Sequence, residues 1–286
     1  MPRVLIAGCG YLGRAIADLL TVDGWQVEGW TMSPESAADL SVAGHVAKTV
    51  DISDRNSVAR QGSQFDAVIQ SASTRGGDAE SYQRVYLHGA HNLVEQFRNA
   101  RFFFVSSTSV YSQTSGEWVS EENEAEPKHQ TGEILRRTED FVLEKGGTVV
   151  RLAGLYGPNR SALLRKFLAG EARIDPDNDR FINQIHRDDA AAAFQFLITR
   201  SNTASQVYNL VDNQPMLLGE CYRWLAARLN RPVPPEEAST SRRKRGDSNK
   251  RVSNAKLRGL GWVPLYPSFA DGMDRSVLSN IIGRDA

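Results

Sequence analysis

Three glycines near the start of the chain have the spacing of a phosphate-binding loop. Gly8, Gly10 and Gly13 form G-x-G-x-x-G between the apolar run Val4–Ala7 and an amphipathic segment at 12–20. In that setting Gly8 permits a tight turn, Gly10 lets a pyrophosphate approach the backbone, and Gly13 lets the helix pack on the strand. The pyrophosphate would rest on the helix N-terminus. The motif therefore predicts a dinucleotide site, with a tight turn that binds no ligand as the alternative.

The end of the second predicted strand, Val27–Trp30, decides between NAD and NADP. An acid at this place would bind the ribose 2′-hydroxyl of NAD, but Glu28 lies inside the strand and only Thr31 and Ser33 follow it. These two hydroxyls could donate to a 2′-phosphate, so the sequence favours NADP slightly over NAD. The remaining predicted cofactor contacts are Tyr11, Leu12, Asp51, Ile52, Ser71 and Ala72. For Asp51, a surface helix cap is an equal alternative.

The elements that position these residues alternate between short apolar runs and helical patterns. Such alternation is the signature of stacked βαβ units and predicts an α/β protein with a Rossmann-type, doubly wound parallel sheet. The predicted strands after the first two are Val46–Val50, Ala67–Ile69, Phe102–Val105 and Thr148–Leu152. Long helices are predicted over Tyr82–Phe97 and Ile134–Val142.

The chain divides into a dinucleotide-binding Rossmann domain over residues 1–155 and a small substrate-binding lobe over 156–286. One or two segments of the lobe are expected to return to the sheet, among them the predicted strand Val207–Val211. The lobe also contains a polar and basic stretch, Ser239–Arg251, which is predicted to be a loop. We interpret this stretch as a solvated loop. The second possibility is a clamp for substrate phosphate that includes Lys250 and Arg251.

Composition narrows the class of protein. The 286 residues include 34 Lys and Arg and 34 Asp and Glu, so no overall charge draws the chain to nucleic acid or to anionic membranes. No apolar run reaches the roughly 18 residues of a membrane span, and Met1–Gly8 does not resemble a signal peptide. Two cysteines, Cys9 and Cys221, suggest a reducing cytoplasm. His88 and His91 could share a helix face, but without a matching carboxylate no metal site is predicted.

Three further motifs, together with the glycine loop, resemble the extended short-chain dehydrogenase/reductases, the NAD-dependent epimerase/dehydratase family. Residues 106–111 read S-S-T-S-V-Y after a buried strand, residues 151–158 read R-L-A-G-L-Y-G-P, and residues 185–189 read I-H-R-D-D. The resemblance spans nearly the whole chain in the family's order. It implies a nicotinamide-dependent oxidoreductase, epimerase or dehydratase, in which Ser107 orients the oxygen of the substrate.

The chain departs from this family at the catalytic helix. The family uses a Y-x-x-x-K helix in which Tyr is the acid or base and Lys lowers its pKa. Counting back from Glu139, which matches the family's helix acid, puts Thr131 at the Tyr position and Leu135 at the Lys position. A Thr hydroxyl without a neighbouring cation is no useful acid or base near pH 7. The chain therefore resembles the atypical members that keep the cofactor fold and lose the catalytic residues.

Three residues could substitute for the lost pair. Ser107 remains as a hydrogen-bond donor, Tyr111 ends the same motif, and His129 precedes the catalytic helix and could titrate near neutrality. A purely structural role is an alternative for each of them, as it is for Thr131. By the resemblance, most substrate contacts come from the region after Gly157. The predicted substrate residues are Tyr156, Arg160, Arg165 and Lys166, with Arg173 as a further phosphate contact.

Two functions remain open from the sequence. The first is an enzyme that moves a hydride between the nicotinamide and a carbonyl compound or a nucleotide sugar. The second is a non-catalytic sensor that binds NAD(P) and changes shape or partners with redox state. The persistence of the motifs at 151–158 and 185–189 favours the enzyme, since a sensor would not need them. A homodimer through the helices Tyr82–Phe97 and Ile134–Val142 is expected by family analogy.

Overall fold

In the part of the chain that the structure describes, the strands form one large sheet and three small ones. The computed structural model describes residues 1–62, 64–74, 76–238 and 248–279. Apolar runs buried on both faces, such as Val4–Ala7, form the central strands, as expected for a sheet covered by helices on both sides. The strands are β1 Arg3–Ala7, β2 Gln26–Thr31, β3 Val46–Thr49, β4 Ala67–Gln70, β5 Arg101–Ser107, β6 Glu117–Val119, β7 Thr148–Leu152, β8 Gly154–Tyr156, β9 Phe181–Ile182, β10 Gln184–His186, β11 Val207–Leu210, β12 Met216–Leu217 and β13 Lys250–Val252.

The helices begin and end where the sequence supplies caps and breaks. Ser33 caps α2 by accepting from Ser36 N, and the helix α1 ends at the Asp23-Gly24 turn. The helices are α1 Tyr11–Val22, α2 Pro34–Val42, α3 Arg55–Ala59, α4 Ala79–Tyr82, α5 Gly89–Gln96, α6 Gln130–Glu144, α7 Ala162–Leu168, α8 Arg187–Ile198, α9 Leu218–Arg228, α10 Ala255–Gly259 and α11 Phe269–Gly272.

The large sheet has the strand order β11-β7-β5-β4-β1-β2-β3. The pairs β1–β2, β1–β4, β2–β3 and β4–β5 are all parallel. Successive strands run outward from β1 to β3 in one direction, and then from β4 onward in the other. This reversal between β1 and β4 is the switch point at which doubly wound sheets bind their ligands. The predicted Rossmann-type fold is confirmed.

The chain separates into two compact units. Unit 1 contains residues 1–110, 125–151 and 190–208, and unit 2 contains residues 111–124, 152–189 and 209–286. Residues 190–208 group with the first part of the chain. Residues 111–124 group instead with unit 2, because β6 pairs with β13 rather than with the large sheet. The small sheets β8–β10 and β9–β12 also belong to unit 2.

Two local features differ from the sequence-based expectation. The predicted long helix over 82–97 contains a π-helical segment, Gln83–His88, between α4 and α5. Gln70 lies buried at the end of β4 and donates to the carbonyls of Val85 (2.9 Å) and Tyr86 (3.2 Å) in that segment. Lys250 and Arg251 were predicted to lie in a loop but begin strand β13. The rest of that loop, residues 239–247, lies outside the described residues.

The helices that were predicted to form the homodimer interface pack on each other within unit 1. The π-helical segment and α4 both contact α6, and the His91 imidazole stacks on the Phe141 ring with centroids 3.7 Å apart. The predicted homodimer stays a prediction. In the described part of the chain, no helix is both long enough and apolar enough to cross a membrane.

Candidate functional site

The first glycine of the loop is required by its backbone. Gly8 directly follows β1 and has a φ of 99°, which L-residues with a side chain rarely adopt. A Cβ atom on Gly8 would also lie 2.1 Å from Ala72 N, just after β4. Ser71 N and Ala72 N both donate to Ala7 O, and Ser71 Oγ donates to Gly8 O at 3.0 Å. The ends of β1 and β4 therefore close on each other at the switch point.

The second glycine lines open space. A Cβ atom on Gly10 would meet no other atom within 4 Å, and its φ of −93° is one that other residues can adopt. Side-chain packing thus does not require glycine at this position. Gly10 is the N-cap of α1, and no side chain caps this helix end and no acid lies in its first turn. The first N–H groups of a helix have no intrahelical acceptor. The open cradle and the uncapped helix end fit a pyrophosphate.

The third glycine brings α1 against β1. A Cβ atom on Gly13 would lie 2.8 Å from Gly8 O and 2.9 Å from Ile6 Cγ2. Any side chain here would push the helix away from the strand. Tyr11 and Leu12 lie in the first turn of α1, with Leu12 buried and Tyr11 half-buried. Gly8 and Gly13 therefore have the structural reasons that the sequence predicted, while the contact of Gly10 with a pyrophosphate stays a prediction.

The end of β2 carries hydroxyls whose hydrogen bonds are local. Thr31 Oγ1 donates to Ser33 O at 3.1 Å, and Ser33 Oγ accepts from Ser36 N at 3.2 Å as the cap of α2. Glu28 is buried and accepts from Trp30 Nε1 and from Lys48 Nζ, each at 2.8 Å. Glu28 is therefore engaged inside the sheet, as expected.

Asp51 and Ile52 follow β3 and form a turn. Asp51 Oδ1 accepts from Ser53 N at 2.9 Å and from Ser53 Oγ at 2.7 Å. Ile52 is buried, and its carbonyl accepts from Asn92 Nδ2 at 2.9 Å. The carboxylate thus closes a local turn, while Asp54 caps α3. The contact of Asp51 with the adenine stays a prediction.

Ser107 is the last residue of β5, at the same edge of the parallel sheet as the glycine loop. It is half-buried, and its Oγ accepts from Ser109 N at 3.1 Å. Thr131 lies half-buried in the first turn of α6, and no hydrogen bond joins its hydroxyl to another described residue. Leu135 is buried in the same helix. The helix α6 packs on β5, and the equivalence of Leu135 with the family's lysine stays a prediction.

The acid of α6 is the centre of a buried ion network. Glu139 has no exposed surface and accepts from Ser106 Oγ at 2.5 Å. Arg151 donates to it from Nε at 3.1 and 3.2 Å and from Nη2 at 2.7 Å. Arg136 donates to Glu139 and to Asp140, so it cannot serve Thr131. These contacts join α6 to β5 through Ser106 and to β7 through Arg151. Ser106 directly precedes Ser107 in the sequence.

Tyr111 does not have the surroundings of an acid or base. Its side chain is fully buried in unit 2, and its hydroxyl lies 2.9 Å from Ser120 O and 3.0 Å from Asn209 Oδ1. A phenol enclosed in this way has a packing role, and its catalytic role stays a prediction. His129 is the half-buried N-cap of α6, and its carbonyl accepts from Gly132 N and Glu133 N. Its catalytic role stays a prediction.

The predicted substrate residues fall into two groups. Tyr156 is buried in the core of unit 2, where its ring contacts His186 and Phe269 and burial raises the pKa of its hydroxyl. These contacts give Tyr156 a packing role, and its contact with substrate stays a prediction. Arg160, Arg165 and Lys166 are exposed, the last two on α7. Arg173 pairs with Glu237 at 2.9 Å.

The residues 185–189, which read I-H-R-D-D, are structural. His186 is fully buried; its Nε2 lies 3.0 Å from Ser276 Oγ and its Nδ1 accepts from Asp188 N. Burial lowers the pKa of His186 to about 4. Asp189 accepts from Leu265 N at 2.5 Å and Tyr266 N at 2.9 Å. Packing explains the presence of His186 and Asp189, and also that of Arg151 and Tyr156. The presence of these residues therefore does not show whether the protein is an enzyme or a sensor.

The buried Lys250 is the group whose placement the sequence did not reveal. Its ammonium donates to Tyr111 O at 2.8 Å and to Ser248 Oγ at 3.1 Å.

The cysteines are both buried and free, and burial raises the pKa of Cys9 and of Cys221 to about 12. Among the described residues, no group of three or more His, Cys, Asp or Glu is arranged to hold a metal ion.

A doubly wound parallel sheet with an open glycine cradle at its switch point defines the chain as a Rossmann-fold protein. The sequence profile described as the NAD dependent epimerase/dehydratase family matches residues 4–210. The chain therefore belongs to this family, and the predicted resemblance is confirmed.

Similar proteins agree with this assignment. Protein YeeZ of Escherichia coli (strain K12) is 30% identical over 221 residues, which are 73% of this chain and 77% of that protein. A provisionally assigned NAD-dependent epimerase/dehydratase from Methylobacillus flagellatus has a solved structure that is 28% identical, with a TM-score of 0.78 over 98% of this chain and 99% of its own. The UDP-glucose 4-epimerase of Thermus thermophilus, solved with NAD, is 20% identical with a TM-score of 0.83 over 99% of each chain, which shows the fold alone.

Proposed function

We propose that the protein binds a nicotinamide dinucleotide and acts as an oxidoreductase or as an epimerase or dehydratase. The observation that carries the proposal is the cradle at Gly10, which packing does not require and which opens at an uncapped helix end. The family membership supports the same cofactor class, since the family is described as NAD dependent. The Thermus thermophilus relative in fold is solved with NAD. We propose NADP or NAD as the cofactor, with the slight preference for NADP still untested.

Different residues at the switch point would bind different parts of the cofactor. The N–H groups at the start of α1, from Tyr11 to Gly13, would donate to the pyrophosphate. Thr31 and Ser33 at the end of β2 would donate to the adenosine ribose or its 2′-phosphate, after their hydroxyls rotate away from their local acceptors. The bound dinucleotide supplies the hydride acceptor and donor.

The reacting oxygen needs a hydrogen-bond donor and a proton source. Ser107, at the end of β5, would orient the substrate oxygen with its hydroxyl. Thr131 has no cation to lower its pKa, because Leu135 occupies the lysine position and Arg136 is bound to Glu139. Of the predicted substitutes, His129 would serve as the proton donor, since the Tyr111 hydroxyl is bound to Ser120 O and Asn209 Oδ1.

The substrate is a carbonyl compound or a nucleotide sugar. Arg165 and Lys166 are exposed on α7 in unit 2, and Arg160 is exposed in the turn before it. Cations of this kind bind phosphate oxygens. The relatives named UDP-glucose 4-epimerase act on a nucleotide sugar, which makes such a compound the first to test on this chain.

The sensor remains the second candidate, and one observation favours it. The chain lacks the Tyr and the Lys of the catalytic helix, and the motifs that it keeps at Arg151, Tyr156 and His186 serve packing. A protein of this kind would bind the dinucleotide without turning over any substrate.

Spectroscopy separates the two candidates. The protein is incubated with NADH or NADPH and a panel of carbonyl compounds, and with NAD and UDP-glucose, while nicotinamide absorbance and sugar products are measured. An enzyme consumes its substrate, and Ser107→Ala then lowers the rate by about a hundredfold, the cost of a lost positioned donor. Thr131→Ala is the matched control and should leave the rate unchanged. If the dinucleotide binds tightly and no substrate in the panel reacts, the sensor replaces the enzyme.

A further inference from the structure

The π-helical segment Gln83–His88 is held by the end of a central strand. In a π-helix each N–H bonds to the carbonyl five residues back, and such segments are frequent at functional sites. Gln70, fully buried at the end of β4, donates its side-chain amide to the carbonyls of Val85 and Tyr86 in this segment. The strand that forms one side of the switch point therefore fixes the backbone around Tyr86.

The ring of Tyr86 is fixed by aromatic contacts in unit 1. It lies edge-on to the ring of Phe104 on β5, with centroids 6.2 Å apart, and 4.9 Å from the ring of Tyr82 on α4. The residue is 9% exposed, and the π-helical segment also packs on α6. A side chain whose rotamer is locked by packing holds its polar group in one place, as a binding residue must.

The hydroxyl of Tyr86 lies at the loop that follows β4. Ser73 bonds to it through its side chain, and Thr74 through its side chain and its backbone. Burial raises the pKa of Tyr86 above its ordinary value, and these hydrogen bonds offset part of the rise. Hydrogen bonds with this effect are donated to the phenol oxygen, since they favour its charged form. The phenol is therefore neutral at pH 7, and its own O–H can be donated to a ligand.

The order of the strands decides which half of a dinucleotide would lie beside this loop. The glycine loop follows β1, and the predicted ribose contacts at Thr31 and Ser33 follow or end β2. In the large sheet, β2 and β4 lie on opposite sides of β1. A dinucleotide that crosses the switch point with its adenosine at β2 has its nicotinamide half at β4 and β5. Ser73, which is exposed, and the hydroxyl of Tyr86 lie on that side.

We propose that Tyr86 is a cofactor-binding residue whose phenol O–H donates to the nicotinamide half of the bound dinucleotide. The proposal rests on the proposed function, which supplies the dinucleotide. Leu135 of α6, at the predicted position of the family's lysine, is buried and carries no hydrogen-bond donor. The π-helical segment, which packs on α6, brings a neutral donor to the side of the sheet where β4 and β5 lie.

Calorimetric titration of the full chain with NADH, NADPH and ADP tests the proposal. ADP contains the adenosine and the two phosphates but lacks the nicotinamide half, so it does not reach Tyr86. Tyr86→Phe should weaken NADH and NADPH by about three- to tenfold, as expected for one hydrogen bond between neutral groups, and leave ADP binding unchanged. Tyr82→Phe is the matched control, because it removes the hydroxyl of the neighbouring ring, and all three affinities should stay the same.

The ADP titration separates a contact with the cofactor from a structural role. Equal weakening of ADP by Tyr86→Phe would show that the residue only shapes the loop after β4, and would overturn the proposal. Unchanged binding of NADH and NADPH would overturn it as well, while the proposed function would stand. A parent chain that binds neither dinucleotide would refute the proposed function and this contact together.

A label on the phenol itself covers the case in which Tyr86→Phe does not fold. Fluorotyrosine is incorporated at position 86 alone, and its fluorine resonance is followed during titrations with NADH and with ADP. The resonance should move on addition of NADH and stay near its starting position with ADP. A resonance that responds equally to both probes, or that does not respond to saturating NADH, contradicts the proposal.

Discussion

The ion network at Glu139 offers the sharpest test of how unit 1 is held together. Glu139→Gln keeps the shape of the side chain and removes its charge. The side chains of Glu139 and Arg151 are 0% and 4% exposed, so the substitution would remove the charge of Glu139 from a guanidinium that stays buried. Breaking a buried pair by removing one partner costs about 3–5 kcal/mol. The amide NH₂ would also face donors from Ser106 or Arg151, where the carboxylate accepts today.

Equilibrium unfolding in urea measures this cost, with hydrogen exchange of β5 and β7 amides to localise it to unit 1. Asp140→Asn is the matched control, because Asp140 pairs with Arg136 at the surface and should cost less than about 1 kcal/mol. Replacing both partners, in Glu139→Leu with Arg151→Met, should recover much of the loss, since no buried charge remains. A loss below about 1 kcal/mol in Glu139→Gln, with an unchanged m-value, would refute this reasoning.

Three further outcomes follow from the structure. The folded pKa of His186 is about 4 against an ordinary 6.5, so it stabilises the fold fully above pH 6.5 and the stabilisation is lost as the pH falls through 4. The loss amounts to up to about 3 kcal/mol, and His186→Gln should reduce the difference between urea midpoints at pH 7 and 4.5; an identical difference would contradict this. Thr31, at the predicted ribose position, carries no charge. The affinities for NADPH and NADH, measured by calorimetry, should therefore lie within about a hundredfold of each other. A thousandfold preference would show that a charge from elsewhere reaches the cofactor. Gly8→Ala should lower the melting temperature of unit 1 because its Cβ would meet Ala72 N, and an unchanged melting curve would contradict the observed turn.

The sheet and the cofactor loop were predictable because their physical signals are local. Val4–Ala7 is apolar at every position, as a strand buried on both faces must be, and Gly8 and Gly13 follow at the spacing that the turn and the helix packing require. The burial of Leu135 was also predictable, because the residue falls on the apolar stripe of α6. That it replaces the family's lysine stays a prediction.

The roles of the polar residues in unit 2 were not predictable, since a motif gives spacing and not burial. Tyr111 and Tyr156 read as site residues from their positions in the chain, yet long-range contacts enclose both, with Asn209 and with the Phe269 ring. Lys250 read as part of a basic loop because its neighbours in sequence are polar. Its pairing with β6, more than a hundred residues earlier, decides that it is buried.

The central claim is that the open cradle at Gly10 receives the pyrophosphate of a nicotinamide dinucleotide. The most direct measurement is a calorimetric titration of the parent chain and of Gly10→Val with NADPH and NADH. Gly62→Val is the matched control, because Gly62 also lines open space and its backbone does not require glycine. We expect the parent and Gly62→Val to bind dinucleotide, and Gly10→Val to keep its circular dichroism and melting temperature but to lose binding. Equal binding by Gly10→Val would contradict the account.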